Sequence, residues 1–270
     1  MDPETMYSRL DSMFTDRRTA AEIENYLRDV LKEAESAGSG ELVIAACNEL
    51  GGLARARGDF KEAEALHMKV LRLLEEAGQK GNLNYATALI NCGDVYASAD
   101  ENERALEIFL EAEAMLKALG QDGMYPMAAL CNNISKVYIC LGQNEKAEKA
   151  LEKALEIIEA LPGMWQEKAT TYVNAAEAAA AAGKLKKAAE TFAGAIALFR
   201  EHGVRDQHYA AALAGEARLR FMEGAAAEAA GGFNEAAEII KEIYGENSIY
   251  RLLKENAEKA EKGGGLHEGT

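Results

Sequence analysis

"ARGDFKEAEAL", residues 56–66, decides the fold of this chain because it returns four times. It comes back as "SADENERALEI" (98–108), "CLGQNEKAEKA" (140–150), "AAGKLKKAAET" (181–191) and "MEGAAAEAAGG" (222–232). One alanine measures the period: Ala63, Ala105, Ala147, Ala188 and Ala229 stand 42, 42, 41 and 41 residues apart. Register held over four steps marks a repeat array, in which each unit buries its apolar face against the next. Sixteen residues before each alanine stands Cys47, Leu89, Cys131, Tyr172 or Leu213, and four after it His67, Phe109, Leu151, Phe192 or Phe233. Seven after it come Val70, Ala112, Ala154, Ala195 and Ala236. Large and small apolar positions kept at these spacings describe the buried side of a helix.

Each unit divides into two helices. In the second, "NYATALINCGDVYAS" (84–98) has helical spacing, "ADEN" (99–102) breaks it, and "ERALEIFLEAEAMLKAL" (103–119) resumes it before Gly120. Gly58, Gly142, Gly183 and Gly224 mark the turn inside each unit, with Asp100 in that place in the second. Gly78, Gly120, Gly163 and Gly203 stand where C-cap glycines end second helices, and Pro126 falls in a first turn, where its missing N–H is harmless.

Composition agrees and excludes much else. The 270 residues are 49% hydrophobic with three prolines, which suits helix throughout. A formal charge of −15 argues against sequence-independent binding to nucleic acid or to an anionic membrane, both of which need a basic field. "DRR" at 16–18 is too small a patch to change that. The start, "MDPETMYSRLDSMF", lacks a basic segment followed by an apolar run, and no stretch approaches eighteen uninterrupted apolar residues, so a cytoplasmic protein is expected. The cysteines at 47, 92, 131 and 140 lack C-x-x-C spacing and read as small buried hydrophobes in a reducing compartment. His67, His202, His208 and His267 show no ligand spacing, so neither a metal nor another cofactor is expected. "AAGKLKKA" lacks the upstream glycine and the Ser or Thr of a phosphate loop, and neither G-x-S-x-G nor a Cys–His pairing occurs. A non-enzymatic role follows.

The pattern resembles the tetratricopeptide repeat family, whose repeat keeps small residues at its eighth, twentieth and twenty-seventh positions and large ones at its fourth, eleventh and twenty-fourth. With Ala63 and its equivalents at position twenty, position eight is Gly51, Gly93, Ser135, Ala176 and Ala217, and position eleven includes Tyr96 and Tyr138. The period exceeds the family's usual length of about 34 and is similar to the longer variant of kinesin light chains and bacterial peptide-sensing regulators. The resemblance implies an all-α fold, a right-handed α-solenoid of antiparallel helix pairs. It divides the chain into a degenerate N-terminal unit or cap (1–40) and five repeats (41–82, 83–124, 125–163, 164–206, 207–247). A C-terminal capping helix (248–262), with Ile249, Leu252, Leu253 and Ala257 facing the array, and a disordered tail (263–270) follow. Unit five matches least, with Glu216 and Arg220 at apolar places and two glycines in "AAGGF", so it is expected to be looser.

In that family the first helices line a concave face where partner peptides lie. Position six holds Glu49, Asn91, Asn133, Asn174 and Gly215. Each Asn costs a helix interior roughly 0.6 kcal/mol relative to alanine, and its amide both donates and accepts, as an extended peptide backbone requires of a receptor. Asn48 and Asn132 at position five, and Thr87 and Thr170 at position two, extend the polar wall. Position nine holds Asp94, Lys136, Glu177 and Arg218, alternating in sign, a pattern that pairing between units explains better than ligand selection. Only Asn91 matches the carboxylate-clamp subtype, since Asn48, Gly52, Ala129 and Asn133 stand where its basic or other polar residues belong; chaperone tails are not the expected ligand. Trp165 reads as packing at a unit junction. The leading functional reading is a non-catalytic scaffold that holds an extended protein or peptide segment at Asn48, Thr87, Asn91, Asp94, Asn132, Asn133, Lys136, Thr170, Asn174 and Glu177. The alternatives are a self-associating structural homo-oligomer, with the asparagines bracing adjacent repeats, and a peptide-sensing regulator that works through another protein.

Overall fold

The computed structural model describes residues 1–16, 18–263 and 265, and no strand occurs among them. The first helices are α1 (Pro3–Thr15) and α2 (Ala20–Ala37). Five pairs follow: α3 (Gly40–Ala56) with α4 (Phe60–Glu76), α5 (Leu83–Ser98) with α6 (Asn102–Ala118), and α7 (Tyr125–Cys140) with α8 (Asn144–Ala160). Then come α9 (Trp165–Ala181) with α10 (Leu185–Glu201), and α11 (Gln207–Met222) with α12 (Ala226–Tyr244); α13 (Ser248–Lys262) ends the run. The chain is an all-α solenoid of helix pairs, in two compact units, Met1–Val137 and Tyr138–Thr270. In the first, α3 packs on α2 and α4, and α5 on α4 and α6; in the second, each helix from α8 to α13 packs on the next. The disordered tail expected over 263–270 falls outside the described residues, Gly263 and Gly265 apart.

The register alanines suit the close approach of α3 to α4, α5 to α6, α9 to α10 and α11 to α12. Ala63, Ala105, Ala147, Ala188 and Ala229 are all completely buried, and position twenty-four is buried in every repeat. In the first two repeats a ring at position twenty-four faces a glycine at position eight. A Cβ on Gly51 would lie 2.5 Å from His67 Nε2, and one on Gly93 would lie 2.6 Å from Phe109 Cε1. Each ring thus occupies the space a side chain would need, and the bare backbone becomes its wall. Phe192 instead reaches the first helix of the next repeat, where a Cβ on Gly215 would lie 2.3 Å from its Cζ.

The short turns carry left-handed residues, and Asp100 is the one described non-glycine with positive φ, at 66°. Asp tolerates this conformation better than most L-residues. Unit five is not looser, as its glycines suggested. α12 runs unbroken, and Gly232 lies where a Cβ would come within 2.9 Å of Ala217 Cβ, so its bareness lets α11 and α12 meet. Glu216 and Arg220 stay on the surface as an ion pair at 3.6 Å. α13 buries Leu253, Ala257 and Ala260, while Ile249, 50% exposed, lines a cleft that α11 and α12 also border. Cys140 at the end of α7 is also exposed, unlike the other three cysteines; burial pushes the Cys47 and Cys92 thiols up to about 11. Trp165 stacks on His202 at 3.9 Å and meets Phe199 edge-on, joining α9 to α10. No helix among the described residues is long and apolar enough to cross a membrane.

Candidate functional site

The two units carry different chemistry on their first helices. In Met1–Val137, α5 presents Asn91 and α7 presents Asn133 at equivalent positions. Both are half-buried, and neither side-chain amide makes a hydrogen bond among the described residues. Their neighbours are committed. Asn132 Nδ2 donates to the Ala128 carbonyl of its own helix at 3.2 Å, and Asn132 is engaged within the chain beyond that bond. Thr87 Oγ1 donates to the Leu83 carbonyl at 3.0 Å, which leaves its oxygen able to accept. Asn48 Oδ1 is buried without a hydrogen-bond partner. Where a rung would fall in the first repeat stands Glu49, whose carboxyl is pushed up by burial. Burial, with the nearby Glu49 charge, also pushes up the Tyr7 phenol.

At position nine, Asp94 pairs between units, with Arg55 of α3 at 3.1 Å, and Lys136 is exposed. Arg55 also reaches Ser98, so the contact ties α3 to α5 along the helices. With both partners partly exposed, such a bridge contributes at most about 1 kcal/mol.

In Tyr138–Thr270, α9 places Thr170 half-buried, Asn174 only 5% exposed and Glu177 on the rim of a cleft. Asn174 is engaged within the chain, so it is an internal tie rather than an exposed rung. At Gly215 the ring of Phe192 replaces the rung altogether. The row then resumes at Asn256 on α13, a buried residue absent from the sequence-derived set. Asn256 is 82 residues beyond Asn174, two periods of 41, and α13 begins 41 residues after α11. Counting one more period would have found it.

Between α11 and α13 lies a cleft of about 260 Å³. Ala211 and Ala214 of α11, Leu252 of α13, and Phe233 and Ile240 of α12 give it an apolar lining. Tyr244 Oη, donating to Gln207 Oε1 at 2.5 Å, straps the end of α12 to the start of α11 at its edge. Glu177 and Arg218 both border the cleft. Arg218 makes no hydrogen bond or ion pair among the described residues, whereas Arg220, two residues along the same helix, lies beside Glu216, Glu223 and Glu228. Among the described residues, no three His, Cys, Asp or Glu side chains gather to hold a metal ion.

These features define a helix-pair repeat protein whose distinctive surfaces are a polar first-helix face and an apolar cleft. The sequence model of the tetratricopeptide repeat matches residues 41–118 and 126–201, more than half of the chain, and the chain belongs to that family. Among solved structures it is similar to a Rap protein complexed with competence and sporulation factor (TM-score 0.74, 18% identity, covering 88% of this chain and 64% of that one). It is also similar to NprR in complex with its cognate peptide NprX (TM-score 0.72, 17% identity, 93% and 71%) and to BtubC (BKLC) from P. vanneervenii (TM-score 0.63, 18% identity, 93% and 96%). At these identities the likeness concerns the fold. No curated protein matches the sequence.

Proposed function

We propose that the protein is a non-catalytic scaffold that holds an extended segment of a protein or peptide partner against the first-helix face, with Asn91 and Asn133 gripping the main chain. The observation that carries this reading is the unused amide at the same position of consecutive repeats. An amide in a helix interior opposes helix formation, and a half-buried one without a partner forgoes the return that usually offsets that cost. An extended backbone offers the alternating acceptors and donors that two such amides require. Rap and NprR, which share the fold, were crystallised with a competence and sporulation factor and with a cognate peptide, and this is consistent with the same use of the architecture here. Asn174 and Asn256 differ from them, being buried and engaged within the chain.

The test separates the two kinds of asparagine. Segments selected from a displayed random-peptide library on the wild-type chain are to be measured against Asn91→Ala/Asn133→Ala and, separately, Asn174→Ala. The first variant is expected to melt at the same temperature or higher and to lose binding by about tenfold or more, as removal of two directed hydrogen bonds implies. Asn174→Ala is expected to lower the melting temperature, because a buried side chain loses an interaction it makes within the chain. A double variant that melts several degrees lower while keeping full affinity would make Asn91 and Asn133 braces as well, and the proposal would fall.

A further inference from the structure

We infer that the α11–α13 cleft binds the anion of a medium-chain fatty acid, with the hydrocarbon chain laid along α11 and the carboxylate against Arg218. This is a small-molecule site, and it stands apart from the scaffold reading because it involves neither Asn91 nor Asn133. Three observations carry it.

The first is length and width. The lining residues of α11 run in one stripe from Gln207 through Ala210, Ala211 and Ala214 to Arg218. From Gln207 to Arg218 the helix advances about 16 Å, at about 1.5 Å per residue. Spread over that length, 260 Å³ leaves a mean cross-section of about 16 Å². That is a trench for one unbranched chain, too narrow for a peptide with side chains on successive residues. It exists because alanines occupy the middle of the stripe, where larger residues would close it.

The second is the lining. Between its ends the trench is hydrocarbon, with the alanines of α11, Leu252 and Leu253 of α13, and Phe233 and Ile240 of α12. An apolar occupant removes that surface from water, which a polar one cannot do without loss. A saturated chain gains about fourfold in affinity for each methylene it buries there.

The third is the one polar group left over. Among the polar lining side chains, Tyr244 and Gln207 bond to each other, and Glu177 and Asn256 are engaged within the chain. Arg218, at the opposite end of the stripe from Gln207, has no partner among the described residues. In a chain with 45 acidic residues against 30 basic ones, an unpaired guanidinium is out of proportion to its surroundings. A single cation at one end of an apolar trench complements an amphiphile with a single anionic head, and a guanidinium can grip a carboxylate with two parallel hydrogen bonds. The net charge of −15 opposes a head with more than one negative charge, which leaves the monoanionic carboxylate as the fitting one.

Calorimetric titration of the full chain with octanoate, 1-octanol and butanoate tests this. Octanoate should bind at about millimolar concentration or below. Octanol should bind about tenfold more weakly for want of the charge-assisted pair, and butanoate about a hundredfold more weakly for want of the buried methylenes. Arg218→Gln should bring octanoate down to the affinity of octanol. Ala211→Leu, which adds a side chain at an exposed lining position, should block the trench and remove octanoate binding, with the circular dichroism spectrum and melting temperature intact. The site is overturned if octanoate fails to bind, or if octanol or butanoate binds as tightly as octanoate. An Arg218→Gln protein that still prefers the anion, or an Ala211→Leu protein that binds octanoate like the wild type, would place any binding elsewhere and overturn it equally.

Discussion

Phe109→Ala will cost about 3–5 kcal/mol of stability, the range for deleting a fully buried aromatic ring. The upper half of that range is expected. Phe109 is completely buried at position twenty-four of α6, and its ring rests on the backbone of Gly93 in α5. Truncation therefore leaves a cavity with one wall of bare main chain, which has no side chain to lean in and fill it. The loss should be largely local. In a repeat array each unit touches only its neighbours, so amide exchange should accelerate first in α5 and α6, with α11 and α12 slower to respond. The pairing with Gly93 supplies a control. Gly93→Ala alone should destabilise by about 1–3 kcal/mol through overpacking against the ring. In a Phe109→Ala background the same methyl enters vacated space, so the double variant should be more stable than the sum of the single losses implies. Thermal melts of the four proteins give the cycle; strict additivity would mean that ring and glycine do not share the space assigned to them.

A smaller effect of the same kind bears on the row of asparagines. Gly215→Asn would complete the row on paper, yet it should destabilise the chain by about 1–3 kcal/mol, because Phe192 already fills the place of its Cβ. A melting temperature equal to or above the wild-type value would contradict that packing.

The contrast between Gly215 and Asn91 shows what could be read before the structure and what could not. Periodicity located the buried alanines, the ring positions and the turn residues, since each is a local consequence of one helix meeting another at fixed spacing. Even Asp100, standing in for a turn glycine, was visible from its place in the register. The candidate site was legible only as a set of positions. Whether an amide at position six is unused, as at Asn91, or engaged, as at Asn174, depends on what neighbouring helices bring to it. Phe192 turning toward Gly215, rather than toward position eight of its own repeat, is likewise a choice between two neighbours that one sequence does not display. The cleft was hidden for a simpler reason. Ala211 and Ala214 read as ordinary helix formers, and a gap is made by the side chains they lack. Asn256 was within reach, since it stands 41 residues after Gly215 in the same register.

His67 gives the chain a pH-dependent stability that the other repeats do not share. It is the position-twenty-four residue of the first pair, where the others have Phe109, Leu151, Phe192 and Phe233. The imidazole is buried against the backbone of Gly51, and its Nδ1 finds no hydrogen-bond partner. Burial, helped by the positive charge of Arg55, lowers its pKa from 6.5 to about 4. The folded state therefore binds the proton less readily than the unfolded chain, and the direction of linkage follows. Above the unfolded value near 6.5 the ring is neutral in both states and its contribution is fully present. As pH falls toward about 4 the unfolded state takes up a proton that the folded state refuses, and stability drops across that window. A shift of this size corresponds to a loss on the order of 3 kcal/mol by the low end, at about 1.4 kcal/mol per pH unit. The paired carboxylates of Glu148 and Glu246, held below their usual range by lysine partners, lose stability in the same direction but at lower pH. Glu49, pushed up by burial, opposes them. His67→Phe isolates the imidazole, because Phe109 over Gly93 shows that a phenyl ring fits above a position-eight glycine. Denaturant melts of both proteins from pH 7 to pH 4 should diverge steadily, with the variant gaining relative stability as the pH falls. Parallel curves would mean that His67 is protonated in the folded chain after all, and that the cavity around it is wet.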